Sequence, residues 1–294
     1  MCARDPTNKY LATVGVNRCV NIFDRTGALV REFALDGSPK NSPLQVEWDR
    51  DGSNLAVLCE SHSVIALYNV RARAHTPLET NLRDPSFMAW SKAGPQLAVG
   101  TGKGNLLLYN SETRKSQLIA GKHSKRIACG TWNRENKLAL ASLDRFLSIN
   151  DDKGDLVEQT KLKYDPFDIQ FAEQKVDTNE RGQAVSAAAS SSQGPSAAAV
   201  GKEHTVSINM GHQTILMYNM TDRDNPVELA FQPKYGDIAT YRWYGDGYMM
   251  VGFAKGYIIG QRSAHAARIR THIHSSQKLG CRTFSSLRHL DCEK

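Results

Sequence analysis

Three groups of residues in this chain have side chains suited to chemistry. His123, Ser142 and Asp144 are the residue types of a hydrolytic triad, in which a carboxylate orients an imidazole that takes the proton of a serine hydroxyl. His272, His274, Cys281, His289 and Cys292 are zinc-ligand types. Gly100-Thr101-Gly102-Lys103-Gly104 combines glycines and a lysine, as phosphate-cradling loops do. Each group fails on its surroundings. No pair of donors is placed beside Ser142 to form an oxyanion hole. Zinc sites space their ligands in pairs, such as Cys-x2-Cys with a second pair at a set distance, and the gaps after His272-Ile273-His274 are irregular. A phosphate loop needs a strand before it and a helix after it, whereas this run joins two strand-like segments and reads as a β-turn. No catalytic residue, cofactor or metal is expected.

Composition bounds the remaining possibilities. Of the 294 residues, 40% are hydrophobic and 23% charged, ordinary values for a globular chain. No stretch approaches the ~18 apolar residues of a membrane span, and Met1-Cys2-Ala3-Arg4-Asp5-Pro6 lacks the apolar run of a signal peptide. The chain therefore reads as intracellular, without direct membrane insertion. The six cysteines are scattered, and Cys19, Cys59 and Cys129 lie in apolar runs where a reduced thiol acts as a small hydrophobe. The net charge of +7 would suit nucleic acid, but residues 261–294 hold seven Lys or Arg against Asp291 and Glu293. Most of the excess therefore belongs to the tail, and no nucleic-acid partner is expected.

The elements that position these residues follow from an internal repeat. Val46-Glu47-Trp48-Asp49-Arg50-Asp51-Gly52 followed by Leu55-Ala56 aligns with Met88-Ala89-Trp90 followed by Leu97-Ala98. Gly130-Thr131-Trp132 followed by Leu138-Ala139, and Tyr241-Arg242-Trp243, are further copies. Trp48, Trp90 and Trp132 are spaced at 42 residues, and all four tryptophans hold one place in the unit. Third strands end in an aromatic at Phe23, Tyr68, Tyr109 and Tyr218, each next to Asp or Asn. A period of about 40–45 residues with several short strands marks a four-stranded propeller blade. One twisted sheet cannot bury both its faces, and radial stacking covers them. The expected fold is an all-β WD-repeat β-propeller with about six of seven blades present.

The predicted boundaries are residues 1–259 for the propeller and 260–294 for a basic tail that has lost the period, either disordered or spurious. Asn8-Lys9-Tyr10-Leu11-Ala12-Thr13-Val14 reads as a second strand, so the first blade's opening strand would fall before Met1 and leave that blade incomplete. The third strand of the last copy stops after Ile259. Between Trp132 and Trp243, an insertion at about 174–201 reads as a disordered loop, because residues 184–199 hold twelve Ala or Ser. A propeller open at both ends would expose two sheet edges and fold poorly alone.

On this frame the candidate triad has a structural reading. In WD repeats a Gly-x-His before a blade and an Asp in its later tight turn form a hydrogen-bond network, here His123 and Asp144. Asn150 stands where the network's Trp would be, which leaves it incomplete. The other blades carry Asn17, His62, Lys103 and His212 at the turn position of Asp144, which no shared chemistry requires. Cations gather at loops instead. Lys103, Arg145 and Lys255 fall between second and third strands, and Lys122, Lys125 and Arg126 between blades. In a propeller these loops share one rim, which makes the six candidates for binding an acidic partner.

Several runs carry a more specific likeness. Leu97-Ala98-Val99-Gly100-Thr101-Gly102-Lys103-Gly104-Asn105-Leu106-Leu107-Leu108-Tyr109-Asn110 is one, and Gly121-Lys122-His123-Ser124-Lys125-Arg126-Ile127 through Trp132-Asn133 is another. Trp243-Tyr244-Gly245-Asp246-Gly247-Tyr248-Met249-Met250-Val251-Gly252-Phe253 and Asp224-Asn225-Pro226-Val227-Glu228-Leu229 extend the match. Over about residues 8–259 the chain resembles the N-terminal propeller of the largest WD-repeat subunit of intraflagellar transport complex A. The resemblance implies a seven-bladed propeller followed by a second propeller and a helical solenoid. It implies a non-enzymatic scaffold in retrograde ciliary transport and membrane-cargo entry, at the cilium, its base and the cytoplasm. Its implied partners are the other subunits of that complex and ciliary membrane-protein cargo adaptors. Residues 260–294 do not match and suggest a misread exon or frame. The alternative is a WD-repeat adaptor of another assembly, a vesicle coat or a ubiquitin ligase.

Overall fold

Short apolar runs closed by Asp, Asn, Ser and Gly turns fold as antiparallel meanders, because each turn returns the chain beside the strand it has just left. The computed structural model describes residues 1–15, 17–35, 42–60, 62–172, 204–244 and 248–262. The first sheet contains β1 (Cys2–Arg4), β2 (Tyr10–Val14), β3 (Cys19–Asp24) and β4 (Leu29–Ala34). The second contains β5 (Pro43–Trp48), β6 (Asn54–Cys59), β7 (Val64–Asn69) and β8 (Ala74–Glu79). The third contains β9 (Pro85–Trp90), β10 (Gln96–Thr101), β11 (Leu106–Asn110) and β12 (Lys115–Ile119). The fourth contains β13 (Ile127–Trp132), β14 (Leu138–Ser142), β15 (Phe146–Asn150) and β16 (Leu156–Lys161). The fifth contains β17 (Pro166–Ala172), β18 (Thr205–Met210), β19 (Thr214–Asn219) and β20 (Asp222–Ala230). Three strands form the sixth among the described residues: β21 (Ile238–Tyr244), β22 (Tyr248–Phe253) and β23 (Ile258–Arg262).

The register explains the repeat. Trp48 pairs with Leu55, Trp90 with Leu97, Trp132 with Leu138 and Trp243 with Met249. On the other side of the same Leu stands the third-strand aromatic, Tyr68 opposite Leu55 and Tyr109 opposite Leu97. The second and third blades thus each carry one transverse row of large side chains. The residue after Trp makes the hairpin turn by accepting backbone N–H groups, as Asp49 Oδ1 does from Ser53 (2.8 Å) and Asn133 Oδ1 from Lys137 (2.8 Å).

Two compact units are distinguished, one spanning Met1–Ile169 and the other beginning at Gln170. Within the first, successive sheets stack with their opening strands adjacent: β1 on β5, β5 on β9, β9 on β13. Val14, Ile22 and Phe33 of the first sheet pack on Trp48, Val57 and Tyr68 of the second. Leu58 and Ile65 meet Met88, Trp90 and Leu97, and Phe87 and Leu106 meet Ile127, Trp132 and Leu140. Within the second unit, Ile215, Met217 and Leu229 meet Tyr241, Met249 and Val251. Outer strands such as β12 remain exposed along most of their length.

Two sequence expectations are corrected. The first blade has four strands: Arg4 of β1 pairs with Leu11 and Ala3 with Ala12, so Arg4 stands where the second, third, fourth and sixth blades have Trp. The last described strand runs past Ile259 to Arg262, which pairs with Tyr248. The insertion at 174–201 and the tail from residue 263 lie outside the described residues. Among the described residues no helix is long and apolar enough to cross a membrane.

Candidate functional site

The connection from β12 to β13 brings His123 against the fourth blade. His123 Nδ1 lies 3.0 Å from Asp144 Oδ2, and Nε2 lies 2.9 Å from Ser148 Oγ. Asn150 Nδ2 donates to Ser148 Oγ (3.1 Å) and to the Leu138 carbonyl (3.1 Å). Asp144 also accepts the backbone N–H of Ser124 (2.9 Å) and of Phe146 (3.0 Å). Ser148 and Asn150 share one face of β15 through the two-residue period of a strand. Asn150 takes the row position of Tyr68 and Tyr109, since it too stands opposite the Leu paired with Trp. The network is therefore closed by Asn150, not left open as its residue type suggested.

Charge follows from burial. Desolvation pushes the His123 pKa below the ordinary imidazole value of 6.5, and the Asp144 carboxylate only partly offsets it. Burial would raise Asp144, but the Ser124 N–H, His123 and the Phe146 N–H outweigh it and hold the carboxyl below 3.8. The pair is close enough for an ion pair, but the neutral imidazole fits the surroundings better, since it gives each hydrogen one acceptor. Asn150 donates to Ser148, Ser148 to Nε2, and Nδ1–H to Asp144.

An Asp–His–Ser alignment of this kind would suit proton relay, but its serine is Ser148, not the expected Ser142. Ser142 Oγ instead donates to the Lys125 carbonyl (3.1 Å) and accepts Asp144 N–H (3.1 Å). Ser148 has 0% exposure and His123 4%, so no substrate carbonyl reaches the hydroxyl. Its arrangement can clasp the connection to the blade. Ser148 was not legible in the sequence, and its part shows only once His123 is placed across from it. A hollow lined by Leu35, Val57, Cys59, His62, His75 and Pro77 holds the other candidate nucleophile. Burial raises the Cys59 thiol pKa, which leaves it protonated and a poor nucleophile. Among the described residues no three His, Cys, Asp or Glu side chains gather as a metal site. The histidines and cysteines of residues 272–292 lie outside those residues.

The expected cations separate into classes. Lys103, Lys125 and Arg126 are exposed at loop tips. Arg145 Nε pairs with Asp165 Oδ1 at 2.9 Å. Lys122 is turned inward, donates to the Gly154 carbonyl (2.7 Å), and has its pKa lowered by burial. Lys255 belongs to the second unit, where its Nζ lies 3.5 Å from the Pro233 carbonyl.

Comparison with known proteins places this geometry in a family. A profile described as the WDR19 first beta-propeller matches residues 2–286, beyond residue 259 where the sequence reading ended the resemblance. WD repeat-containing protein 19 of Mus musculus is 40% identical over 251 residues, covering 85% of this chain and 17% of that protein. Its counterpart in Homo sapiens is 37% identical over 286 residues, covering 97% and 19%. WD repeat-containing protein dyf-2 of Caenorhabditis elegans is 28% identical over 273 residues, covering 91% and 18%. The chain spans less than a fifth of the length of these relatives. A chain in a solved structure titled "Crystal Structure of Mitotic Checkpoint Complex" superposes with a TM-score of 0.67 at 13% identity, over 90% of this chain and 73% of that one. That likeness shows a shared fold.

Proposed function

The chain belongs to the family of WDR19 first β-propellers, and from that premise we propose that it acts as a scaffold within an assembly like intraflagellar transport complex A. It would serve retrograde ciliary transport and the entry of membrane cargo by protein–protein contacts. Its partners would be the other subunits of that complex and ciliary cargo adaptors, at the cilium, the ciliary base and the cytoplasm. The observation that carries the reading is the match to the family profile over residues 2–286.

The geometry supports a binding role. Blades fix short loops in space, and in this fold the loops and the outer strand edges are what a partner can touch. The Asp144–His123–Ser148–Asn150 chain is spent on holding one such loop. Imaging of the tagged chain in ciliated cells tests the reading. Enrichment at the ciliary base and along the shaft is expected, and a vesicle-coat pattern that ignores the cilium would refute it.

A further inference from the structure

We propose that the loop strip carrying Lys103, Lys125 and Arg126 is a docking site for an acidic peptide segment of a partner protein, a step that deepens the scaffold reading and rests on it. The strip is continuous because its loops are tied backbone to backbone. Gly102 N–H donates to the Asp84 carbonyl (2.8 Å), His123 N–H to Gly104 (2.9 Å), Leu143 N–H to Arg126 (2.9 Å) and Leu162 N–H to Arg145 (2.7 Å). Gly104, at a φ of +80°, allows the contact with His123, since a Cβ there would overlap the His123 carbonyl. The Asp144–His123–Ser148 clasp anchors the middle of the strip.

The charge on this strip is unbalanced in one direction. Asp144 is occupied by His123 and two backbone N–H groups, and Asp165 by Arg145. The Asp84 carboxylate lies over Gly102, the one acidic group of these loops for which no ion pair is seen among the described residues. Among the described residues Lys103, Lys125 and Arg126 face solvent with no carboxylate partner. Tyr164, 53% exposed and two residues after Leu162, adds an aromatic side chain at the end of the strip. Unpaired exposed cations on rigid loops raise the rate and specificity of binding to an acidic partner. A peptide suits this set better than the alternatives. Nucleic-acid binding through the backbone uses on the order of 6–10 phosphate contacts, and polybasic membrane segments about 4–8 clustered cations.

The test uses the 294-residue chain and fluorescein-labelled poly-glutamate at low ionic strength, read by fluorescence anisotropy. Wild type is expected to bind, with affinity that falls as salt rises. Lys103→Glu with Lys125→Glu and Arg126→Glu should weaken binding roughly tenfold or more. The corresponding Gln variants should lose less. A charge-matched control, Arg25→Glu with Arg71→Glu and Lys115→Glu, lies in or beside the turns between third and fourth strands and should bind like wild type. Thermal melts confirm that all variants are folded. No binding by wild type, unchanged binding by the strip variant, or an equal loss in the control overturns the proposal. So does tighter binding, through the same three residues, of oligo-thymidine or phosphatidylserine vesicles. No transport subunit is present, so a negative result removes the docking site and leaves the scaffold reading to its own tests.

Discussion

The indole Nε1 of Trp132 donates a 3.0 Å hydrogen bond to the carbonyl oxygen of Ala89, the residue before Trp90 on the preceding blade. Trp48 repeats the relationship with Ala3, again at 3.0 Å, and Ala3 precedes Arg4, which holds the Trp position of its own blade. Each of these tryptophans packs in its row and ties that row to the neighbouring sheet. The opening strands are also joined by Gln45, whose side-chain amide donates to the Met88 carbonyl (2.6 Å) and accepts Met88 N–H (3.0 Å). The blades of the first unit are thus locked by hydrogen bonds as well as by apolar faces. Trp90 differs, since its Nε1 is buried with no partner among the described residues.

Trp132→Phe should cost about 1 kcal/mol in a urea melt through the lost hydrogen bond, and Trp132→Ala about 3–5 kcal/mol through the cavity as well. Trp90→Phe has no hydrogen bond to lose and should cost less than Trp132→Phe. Equal costs would show that the indole N–H contributes nothing.

Stability should fall as the solution is acidified, and His123 should account for part of the fall. Its pKa is depressed by burial in the folded chain, so the unfolded chain takes up the proton first. The stabilisation is complete above an unfolded value of about 6.5 and is lost as pH falls through the lower folded value. Asp144, also depressed, acts in the same direction only below its ordinary 3.8. Urea midpoints measured between about pH 7.5 and about pH 5 should therefore decline for wild type and less for His123→Gln. A wild-type midpoint that rises toward acid would contradict the neutral imidazole.

Ser148→Ala removes the donor to His123 Nε2 and the acceptor of Asn150, and should cost about 1–3 kcal/mol. Asn150→Ala should cost less, because Asn150 Oδ1 is already buried without a partner. Equal losses on both would mean that the serine–imidazole bond is not the tight link of the chain.

Gly130→Val should cost about 1–3 kcal/mol through overpacking. A Cβ at Gly130 would meet the Phe87 ring at 2.7 Å, and the same ring closes over Gly100 from the other side. Adding Phe87→Leu should recover part of the loss, since neighbouring substitutions couple. Additive losses in the double variant would show that the ring does not fill this space.

Much of the fold was legible because its large residues repeat. Trp48, Trp90 and Trp132 end opening strands, Trp243 is next to last in its own, and Tyr68 and Tyr109 stand in the rows their spacing suggested. The first strand was missed because Arg4 replaces the indole that marks the others. The turn signal was nevertheless present: Asp5 precedes Leu11 by the interval that separates Asp49 from Leu55, and Asp5 Oδ1 accepts the N–H of Lys9 (2.7 Å) and Tyr10 (2.6 Å). His123 and Asp144 were legible as a pair. Ser148 was hidden because a serine in a strand carries no signal until the facing histidine is placed. The loop positions of the cations followed from the period, but not their surroundings. Lys122 meets Gly154 from the next blade, a contact 32 residues away in the chain that no local pattern encodes.

On the proposed function, this chain presents its loops to the subunits of a ciliary transport complex. Quantitative mass spectrometry of proteins retained on the tagged chain from ciliated cells tests it most directly, with an unrelated WD-repeat propeller as control. Strong enrichment of intraflagellar transport complex A subunits over the control is expected. Equal recovery on both, or selective recovery of coat or ubiquitin-ligase subunits by a folded chain, would contradict it.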